Sequence, residues 1–148
     1  MSSYNAITWR LISPQVARLA GITYRQLDWW IRTGLVTCEN PAPGTGHERG
    51  FTVYDVIAIR AAGDLRKHGA SMQAIRKAVD ALRAEWDIAD PLQTGKMIVI
   101  DARVYFAPTD DELWDVLRGQ AAVKRFLYLD ASELARDTID RVKVLMAA

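Results

Sequence analysis

Two short helices separated by three residues are marked near the start of the chain, and this spacing constrains the fold more than any other feature. Ser13 before Pro14 predicts a helix start with serine as the N-cap and proline at the first helical position. Gly21 predicts the end of that helix after about two turns. Thr23 is the next expected N-cap, and the second helix is predicted over residues 24–33. Two short helices joined by Gly-Ile-Thr form a helix-turn-helix pattern.

A turn-rich segment, residues 35–51, follows these helices and contains two prolines and three glycines. Apolar residues stand at both of its ends, with Leu35 and Val36 before the turns and Phe51 and Val53 after them. This arrangement predicts a two-stranded hairpin with a long mobile tip, which we call the wing.

Two longer helices are predicted after the wing. Thr52, with Asp55 three residues later, predicts the capped start of a third helix over residues 53–68. Ser71 is the predicted cap of a fourth helix that runs to about residue 86. A helix-turn-helix followed by a hairpin and further helices is a winged-helix layout.

The second half of the chain mixes strands and helices. Pro91 and Gly95 mark a linker, predicted over residues 87–96. Strands are predicted over residues 97–100, 104–106 and 123–129, a short helix from Thr109 to Gly119, and a last helix from Asp130 or Ser132 to about residue 145. The expected fold is therefore mainly α with small β elements. An N-terminal winged helix-turn-helix domain (residues 1–86) precedes a small α/β C-terminal domain (residues 97–148).

The net charge is small but unevenly distributed. The 148 residues carry a formal charge of +1, with +5 in residues 1–83 and −4 in residues 84–148. The basic half is the half with the helix-turn-helix pattern, and such asymmetry is typical of nucleic-acid binding. The acidic half is expected to stay away from phosphates.

Few residues offer other chemistry. Cys38 is the single cysteine, so we expect an inert thiol and neither a disulfide nor a cysteine-based metal cluster. The acids of residues 110–112 are interpreted as a dipole-matched helix start rather than a metal cluster. No nucleophile–base pair or phosphate-binding glycine loop is present, so we predict no enzyme and no cofactor. No apolar run approaches ~20 residues and the first residues lack a signal-peptide pattern, so we expect a cytoplasmic, nucleoid-associated protein without membrane contact.

The second helix has one apolar and one polar face. Spacings of three and four residues place three side chains on the inward face: Leu27, Trp30 and Ile31. The outward face carries Arg25, Gln26, Trp29 and Arg32. Arginine can pair bidentately with guanine and glutamine with adenine, so Arg25 and Gln26 suit base edges in a DNA major groove. Asp28 is expected either to accept a hydrogen bond from cytosine or to orient Arg25 or Arg32.

Ten residues are predicted to contact DNA: Ser13, Arg18, Thr23, Tyr24, Arg25, Gln26, Trp29, Arg32, His47 and Arg49. Three of these side chains suit phosphates: Tyr24, Trp29 and Arg32. For Trp29, a core position is the alternative. Arg18 and Arg49 are expected to contact phosphates rather than bases, with bracing of the wing as the alternative for Arg49. His47 either reaches a minor groove or lies in a flexible loop tip.

The segment SPQVARLAGITYRQLDWWIRTGLV, together with the arginine of the later RGFTVYD, resembles the N-terminal DNA-binding domain of the MerR family. In this resemblance Leu27, Trp29 and Trp30 stand at the leucine and paired-aromatic positions of the recognition helix. Arg25 stands at the DNA-facing basic position and Arg49 at the wing arginine. The segment GASMQAIRKAVDAL fits the family's pattern for the later helices.

The resemblance covers about residues 7–83 and includes three departures from the family pattern. Asp28 stands where a basic residue is common. No cysteine cluster is present, so metal sensing of the family's type is not expected. Pro91 and Gly95 interrupt the region in which the family's long dimerising helix would run. The segment DELWDVLRGQAAVKRFLYL is similar to the small α/β C-terminal domain of an actinobacterial MerR-like subgroup.

The resemblance implies a sequence-specific transcription regulator that reads the major groove of double-stranded DNA with helix 24–33. A homodimer on a pseudo-palindrome is expected, because symmetry doubles the base contacts of a small domain. The C-terminal domain is expected to serve dimerisation, to bind a small-molecule effector, or to contact RNA polymerase or another protein. Two alternatives stay open: an excisionase-like protein that bends DNA, and an antitoxin-like protein-interaction module.

Overall fold

The structure, a computed structural model, describes residues 9–39, 49–85, 96–100, 103–107 and 127–147. These residues contain the helices α1 (Ser13–Ala20), α2 (Tyr24–Arg32), α3 (Val53–Lys67), α4 (Met72–Glu85) and α5 (Ala131–Ala147), and the strands β1 (Lys96–Ile100), β2 (Arg103–Ala107) and β3 (Leu127–Asp130). The predicted class is confirmed: the chain is mainly helical, with an N-terminal helix-turn-helix and a small sheet. The helix predicted from Thr109 and the wing tip with His47 lie outside the described residues.

The start of α1 corrects the prediction for Ser13. Ile12, not Ser13, is the N-cap, because the carbonyl of Ile12 accepts the first helical hydrogen bond from the amide of Val16 at 3.1 Å. The side chain of Gln15 reaches back and accepts from the amide of Ile12, also at 3.1 Å. Leu11 forms an antiparallel backbone pair with Phe51, which keeps the chain extended up to Ile12. The helix therefore starts at Ser13, directly after this pair.

The turn between α1 and α2 follows the prediction. Gly21 ends α1 in the left-handed conformation, with φ of 65°, which glycine adopts without a steric penalty. The ammonium of Lys67 on α3 donates to the carbonyl of Ala20 at 3.3 Å, at the negative end of the α1 dipole. Thr23 then caps α2. The two short helices are thus held at a fixed angle by a glycine turn and by a contact from α3.

The base of the wing differs from the predicted hairpin in where it pairs. Leu35 and Val36 do not pair with Phe51; their amides donate to the carbonyl of Trp30, at 2.9 and 3.4 Å, and their side chains are buried. The chain pairs instead at Glu39 and Gly50, which exchange backbone hydrogen bonds of 2.8 and 3.0 Å on either side of the predicted wing tip. The apolar pair belongs to the core because it directly continues the end of α2.

Helix α3 is the centre of the hydrophobic core. Thr52 and Asp55 form the predicted capping box, with hydrogen bonds of 2.9 and 3.2 Å, and burial raises the pKa of Asp55 despite these bonds. Most apolar side chains along α3 are buried: Val53, Val56, Ile57, Ala58, Ile59, Ala61, Ala62 and Leu65. α3 packs against α1, α4 and α5, so it supports both halves of the described structure.

The C-terminal segment forms a three-stranded antiparallel sheet of order β2-β1-β3, followed by α5. In β1 the buried Ile98 lies opposite Tyr105 on β2 and Tyr128 on β3. Asp130, one of the two predicted caps, begins α5: its carboxylate accepts from the amide of Ser132 at 2.9 Å. The division into domains 1–86 and 97–148 stays a prediction, while one hydrophobic cluster contains side chains from both segments.

Helix α5 packs on α3 through apolar and charged contacts. Ala135 and Ile139 of α5 form a buried cluster with Val53 and Ile57 of α3. Beside this cluster the guanidinium of Arg60 donates to Asp137 at 2.8 Å and to the buried Thr138 at 2.9 Å. Among the described residues, no helix is long and apolar enough to cross a membrane.

Candidate nucleic-acid interface

The two faces of α2 are separated as the sequence predicts. The inward side chains Leu27, Trp30 and Ile31 are between 0% and 5% exposed. On the opposite side Tyr24 and Trp29 are 58% and 60% exposed, and Arg25, Gln26 and Arg32 are exposed as well. The core alternative for Trp29 is therefore excluded. Two large aromatic side chains facing solvent on one short helix are unusual in a protein surface and indicate a contact surface.

The N-terminus of α2 is closed by its own side chains. The hydroxyl of Thr23 accepts from the amide of Gln26 at 3.1 Å, and the side-chain oxygen of Gln26 accepts from the amide of Thr23 at 3.0 Å. This reciprocal capping box fixes both side chains. A bidentate adenine contact needs both the oxygen and the nitrogen of the Gln26 amide, and the oxygen is already engaged. Arg25 lies next to this cap and has an exposed side chain.

The C-terminus of α2 is held by α4, a contact that sequence reasoning missed. The Thr33 hydroxyl donates to the carbonyl of Trp29 at 2.6 Å. Arg76 on α4 donates to the Thr33 carbonyl at 3.4 Å and also contacts the Thr33 hydroxyl. A cation at this end of a helix interacts favourably with its dipole. Because Arg76 lies 43 residues along the chain from Thr33, local patterns carry no signal for this pair.

Asp28 lies between two arginines. Its carboxylate accepts from Nε of Arg32 with both oxygens, each at 3.0 Å, and Nη2 of Arg49 lies 2.7 Å from Oδ1. The hydrogen bond from Arg49 lowers the pKa of Asp28 most strongly, with Arg32 adding to the effect and burial opposing it. Asp28 is therefore ionised at neutral pH. Asp28 thus contacts Arg32, one of the two arginines that the sequence predicts it to orient.

Arg49 is the predicted contact residue that the structure places differently. Its side chain is 1% exposed and lies against Asp28, so it is not presented to a phosphate. We therefore replace the expected phosphate contact by the alternative, bracing of the wing. The physical reason is that a buried guanidinium needs a carboxylate partner, and Asp28 supplies it.

The remaining predicted residues are dispersed. Ser13 is half-buried in the first turn of α1. Arg18 is exposed and lies with Leu19 in an open groove of about 430 Å³ between α1 and α5. Arg10, which was not predicted, is half-exposed at the wing base, where its Nε lies 3.3 Å from a carboxylate oxygen of Glu39. Gly50 permits this position, because a Cβ there would collide with the Arg10 guanidinium.

The thiol of Cys38 is buried, and burial raises its pKa to about 11, so the reactive thiolate is disfavoured. No group of three or more metal-ligating side chains occurs in the part of the chain that the structure describes.

Residues 13–82 match the model of a family described as MerR HTH family regulatory protein. The chain thus carries a MerR-family helix-turn-helix region. It is similar to proteins of Mycobacterium bovis and Mycobacterium tuberculosis that are named uncharacterised HTH-type transcriptional regulators, with 34% identity over 111 residues. The match covers 74% of this chain and 48% of each relative, so the chain spans about half the length of the curated relatives it matches.

The contact between Asp28 and Arg49 explains an acidic residue on a helix that is otherwise basic and aromatic at its surface. Asp28 departs from the family pattern, in which a basic residue is common, and the structure gives the reason for an acid there: it compensates the buried Arg49. The exposed side chains of α2 are mainly basic and aromatic: Tyr24, Arg25, Trp29 and Arg32, with Gln26 beside them. The region therefore presents a polar, cation-bearing helix face on a fixed scaffold.

Proposed function

We propose that this chain is a DNA-binding transcription regulator that inserts α2 into the major groove. The observation that carries the proposal is the exposed face of α2, where Arg25, Trp29 and Arg32 are outward while the opposite face is fully buried. An α-helix fits the major groove, and exposed side chains near its N-terminus reach base edges there. The family match and the names of the relatives support the same function.

The side chains of α2 have different roles in this proposal. Arg25, in the first turn, reads guanine, because its long fork is exposed beside the capped helix end. Tyr24, Trp29 and Arg32 contact phosphates or sugars and set the register of the helix on the duplex. Gln26 remains a candidate for a base contact, although its oxygen closes the capping box in the free protein.

We further propose that two copies bind a pseudo-palindromic site. One α2 offers few base contacts, and a two-fold arrangement doubles them. Binding of an effector, or contact with RNA polymerase or another protein, through residues 97–148 is kept as a hypothesis.

The deciding experiment is selection of bound sequences from random double-stranded DNA, followed by titration at several salt concentrations. We expect a palindromic site and an affinity that falls steeply with salt. Arg25→Ala should weaken binding to the selected site by about 1–3 kcal/mol and relax one base preference in each half-site. Arg136→Ala is the matched control, because it removes an exposed arginine from α5, which packs on α3.

Three outcomes distinguish the alternatives. Equal losses for Arg25→Ala and Arg136→Ala would contradict readout by α2. Strong bending of the duplex with cooperative coating of neighbouring sites would favour the excisionase-like alternative. No salt-dependent affinity for any duplex would favour the protein-interaction alternative.

A further inference from the structure

The contacts of Asp28 join two elements that are distant along the chain. Arg49 directly precedes Gly50, and Gly50 exchanges two backbone hydrogen bonds with Glu39 at the wing base. The contact between Arg49 and Asp28 therefore ties this backbone pair to α2. Arg49 is 1% exposed, so moving its guanidinium away from the carboxylate would break a buried charge contact.

The same carboxylate also fixes an exposed arginine. Asp28 holds Arg32 by Nε alone, four residues further along α2. Within the described residues, the hydrogen bonds and the ion pair of Arg32 all run through Nε, and the side chain is 55% exposed. A guanidinium held in this way keeps its terminal fork for an oxyanion, and fewer side-chain rotamers remain to be restricted on binding.

We propose that Asp28 is a positioning residue that determines sequence specificity. By this assignment, which rests on the proposed function, Asp28 fixes the wing base against α2 and aims the Nη fork of Arg32 at the phosphate backbone. An isolated acid on a DNA-facing surface would only repel phosphates. Between two arginines it leaves a net positive charge and adds a fixed geometry, so it favours the one register in which α2 and the wing fit the duplex together.

The test compares Asp28→Asn with the wild type on two duplexes of equal length, the selected site and a shuffled sequence. The amide keeps the size of the side chain but lacks the charge that holds two guanidinium groups. We expect the affinity for the selected site to fall about tenfold, as for removal of a coupled charge contact. The affinity for the shuffled duplex should stay equal or rise, because a negative charge has been removed.

The specificity ratio, which is the affinity for the selected site divided by that for the shuffled duplex, separates positioning from a purely structural or purely electrostatic role. A purely structural role would weaken binding to both duplexes in parallel, and a purely electrostatic role would strengthen both. Asp80→Asn is the matched control: Asp80 is an exposed acid on α4, and its replacement makes the same change in charge. We expect it to leave the ratio unchanged. An unchanged ratio in Asp28→Asn would overturn the proposal.

A measurement without DNA distinguishes a failure of this proposal from a failure of the proposed function. Hydrogen exchange of the Gly50 and Glu39 amides, which pair across the wing base, should be about tenfold faster in Asp28→Asn than in the wild type. Unchanged exchange would refute the positioning role even if DNA binds. The wild type could bind no DNA while these amides still exchange faster in Asp28→Asn. The proposed function would then fail, and Asp28 would anchor the wing base without determining sequence specificity.

A second variant guards against a loss of folding. Arg49→Lys keeps the buried positive charge and removes the planar fork that faces Asp28. We expect it to reproduce the lower specificity ratio and the faster exchange, with circular dichroism like that of the wild type. If Arg49→Lys keeps the wild-type ratio and exchange, Asp28 does not act through Arg49 and the proposal is wrong.

Discussion

Two aspartates in different parts of the molecule have nearly the same surroundings. Asp28 contacts Arg32 four residues later on α2 and Arg49 from the wing base, at 3.0 and 2.7 Å. Asp137 contacts Arg141 four residues later on α5 and Arg60 from α3, at 2.7 and 2.8 Å. In both cases the pKa of the carboxyl is lowered, and in both the cross-element arginine is the largest cause.

These two charge networks, one around Asp28 and one around Asp137, differ in the other contacts between the elements that they join. Arg60 lies beside a buried apolar cluster between α3 and α5, and the Thr138 hydroxyl gives its guanidinium a second acceptor. Arg49 is more deeply buried than Arg60, and it lies outside the helices, next to the Glu39–Gly50 backbone pair. The same charge pattern thus reinforces an interface that apolar packing already forms at α5, whereas at the wing base it joins the Glu39–Gly50 backbone pair to a helix.

The largest expected effect is that of Arg49→Ala. Removing this guanidinium leaves a cavity and takes the closest partner from Asp28, so we expect the free energy of unfolding to fall by about 3 kcal/mol. Urea denaturation followed by circular dichroism measures it, with Arg10→Ala as the control at the exposed side of the wing base. A loss equal to that of Arg10→Ala would show that the buried contact does not stabilise the fold.

A smaller loss is expected for Arg60→Ala. The apolar cluster of α3 and α5 remains, and Asp137 keeps Arg141, so we expect about 2 kcal/mol. Arg60→Met keeps the apolar stem and should lose less than Arg60→Ala. Hydrogen exchange should show increased opening of α5 and little change at the wing base. Equal deprotection of both regions would mean that the two networks do not act separately.

The elements of both regions could be predicted from local sequence. Thr23, Thr52 and Ser71 are capping residues whose hydroxyls accept from amides three residues later, and such signals are local. The faces of α2 follow from helical spacing, which is also local. The prediction of Ser13 as the N-cap of α1 was wrong by one residue. The pairing of Leu11 with Phe51, 40 positions away, sets the start of this helix.

The partners of the buried arginines could not be predicted in the same way. Arg49 meets Asp28 across 21 residues, and Arg60 meets Asp137 across 77. Neither pair repeats with a helical or strand period, so only the packed fold brings them together. The sequence suggested bracing of the wing as one role of Arg49, yet the burial that decides between bracing and phosphate contact is a tertiary property.

Acid should weaken both networks. A carboxyl whose pKa is lower in the folded protein stabilises the fold above its ordinary pKa of 3.8, and this contribution is lost as the pH falls through the folded value. Asp55, whose pKa is raised, has the opposite sign: its ionisation costs stability as the pH rises above 3.8. The free energy of unfolding should therefore be measured at about pH 7 and about pH 3 for the wild type, Asp28→Asn and Asp137→Asn, and each variant should be compared with the wild type at the same pH.

We expect each of these variants to lose less stability at the lower pH than at the higher one. The effect should be smaller than those of the buried arginines, because solvent screens both carboxylates. A difference between wild type and Asp28→Asn that is the same at both pH values would contradict the lowered pKa of Asp28.

The smallest changes in stability are expected for the two exposed arginines. Their replacement directly compares the network around Asp28 with the network around Asp137. Arg32 and Arg141 each form an i,i+4 pair on a helix surface, with side chains 55% and 58% exposed. Such pairs contribute about 0.5 kcal/mol or less, so Arg32→Ala and Arg141→Ala should be nearly equal in urea denaturation. DNA affinity should separate them: loss of one phosphate contact in Arg32→Ala lowers the slope of log K against log salt by about one, and Arg141→Ala leaves it unchanged. Equal slopes would mean that the two networks differ in position but not in function.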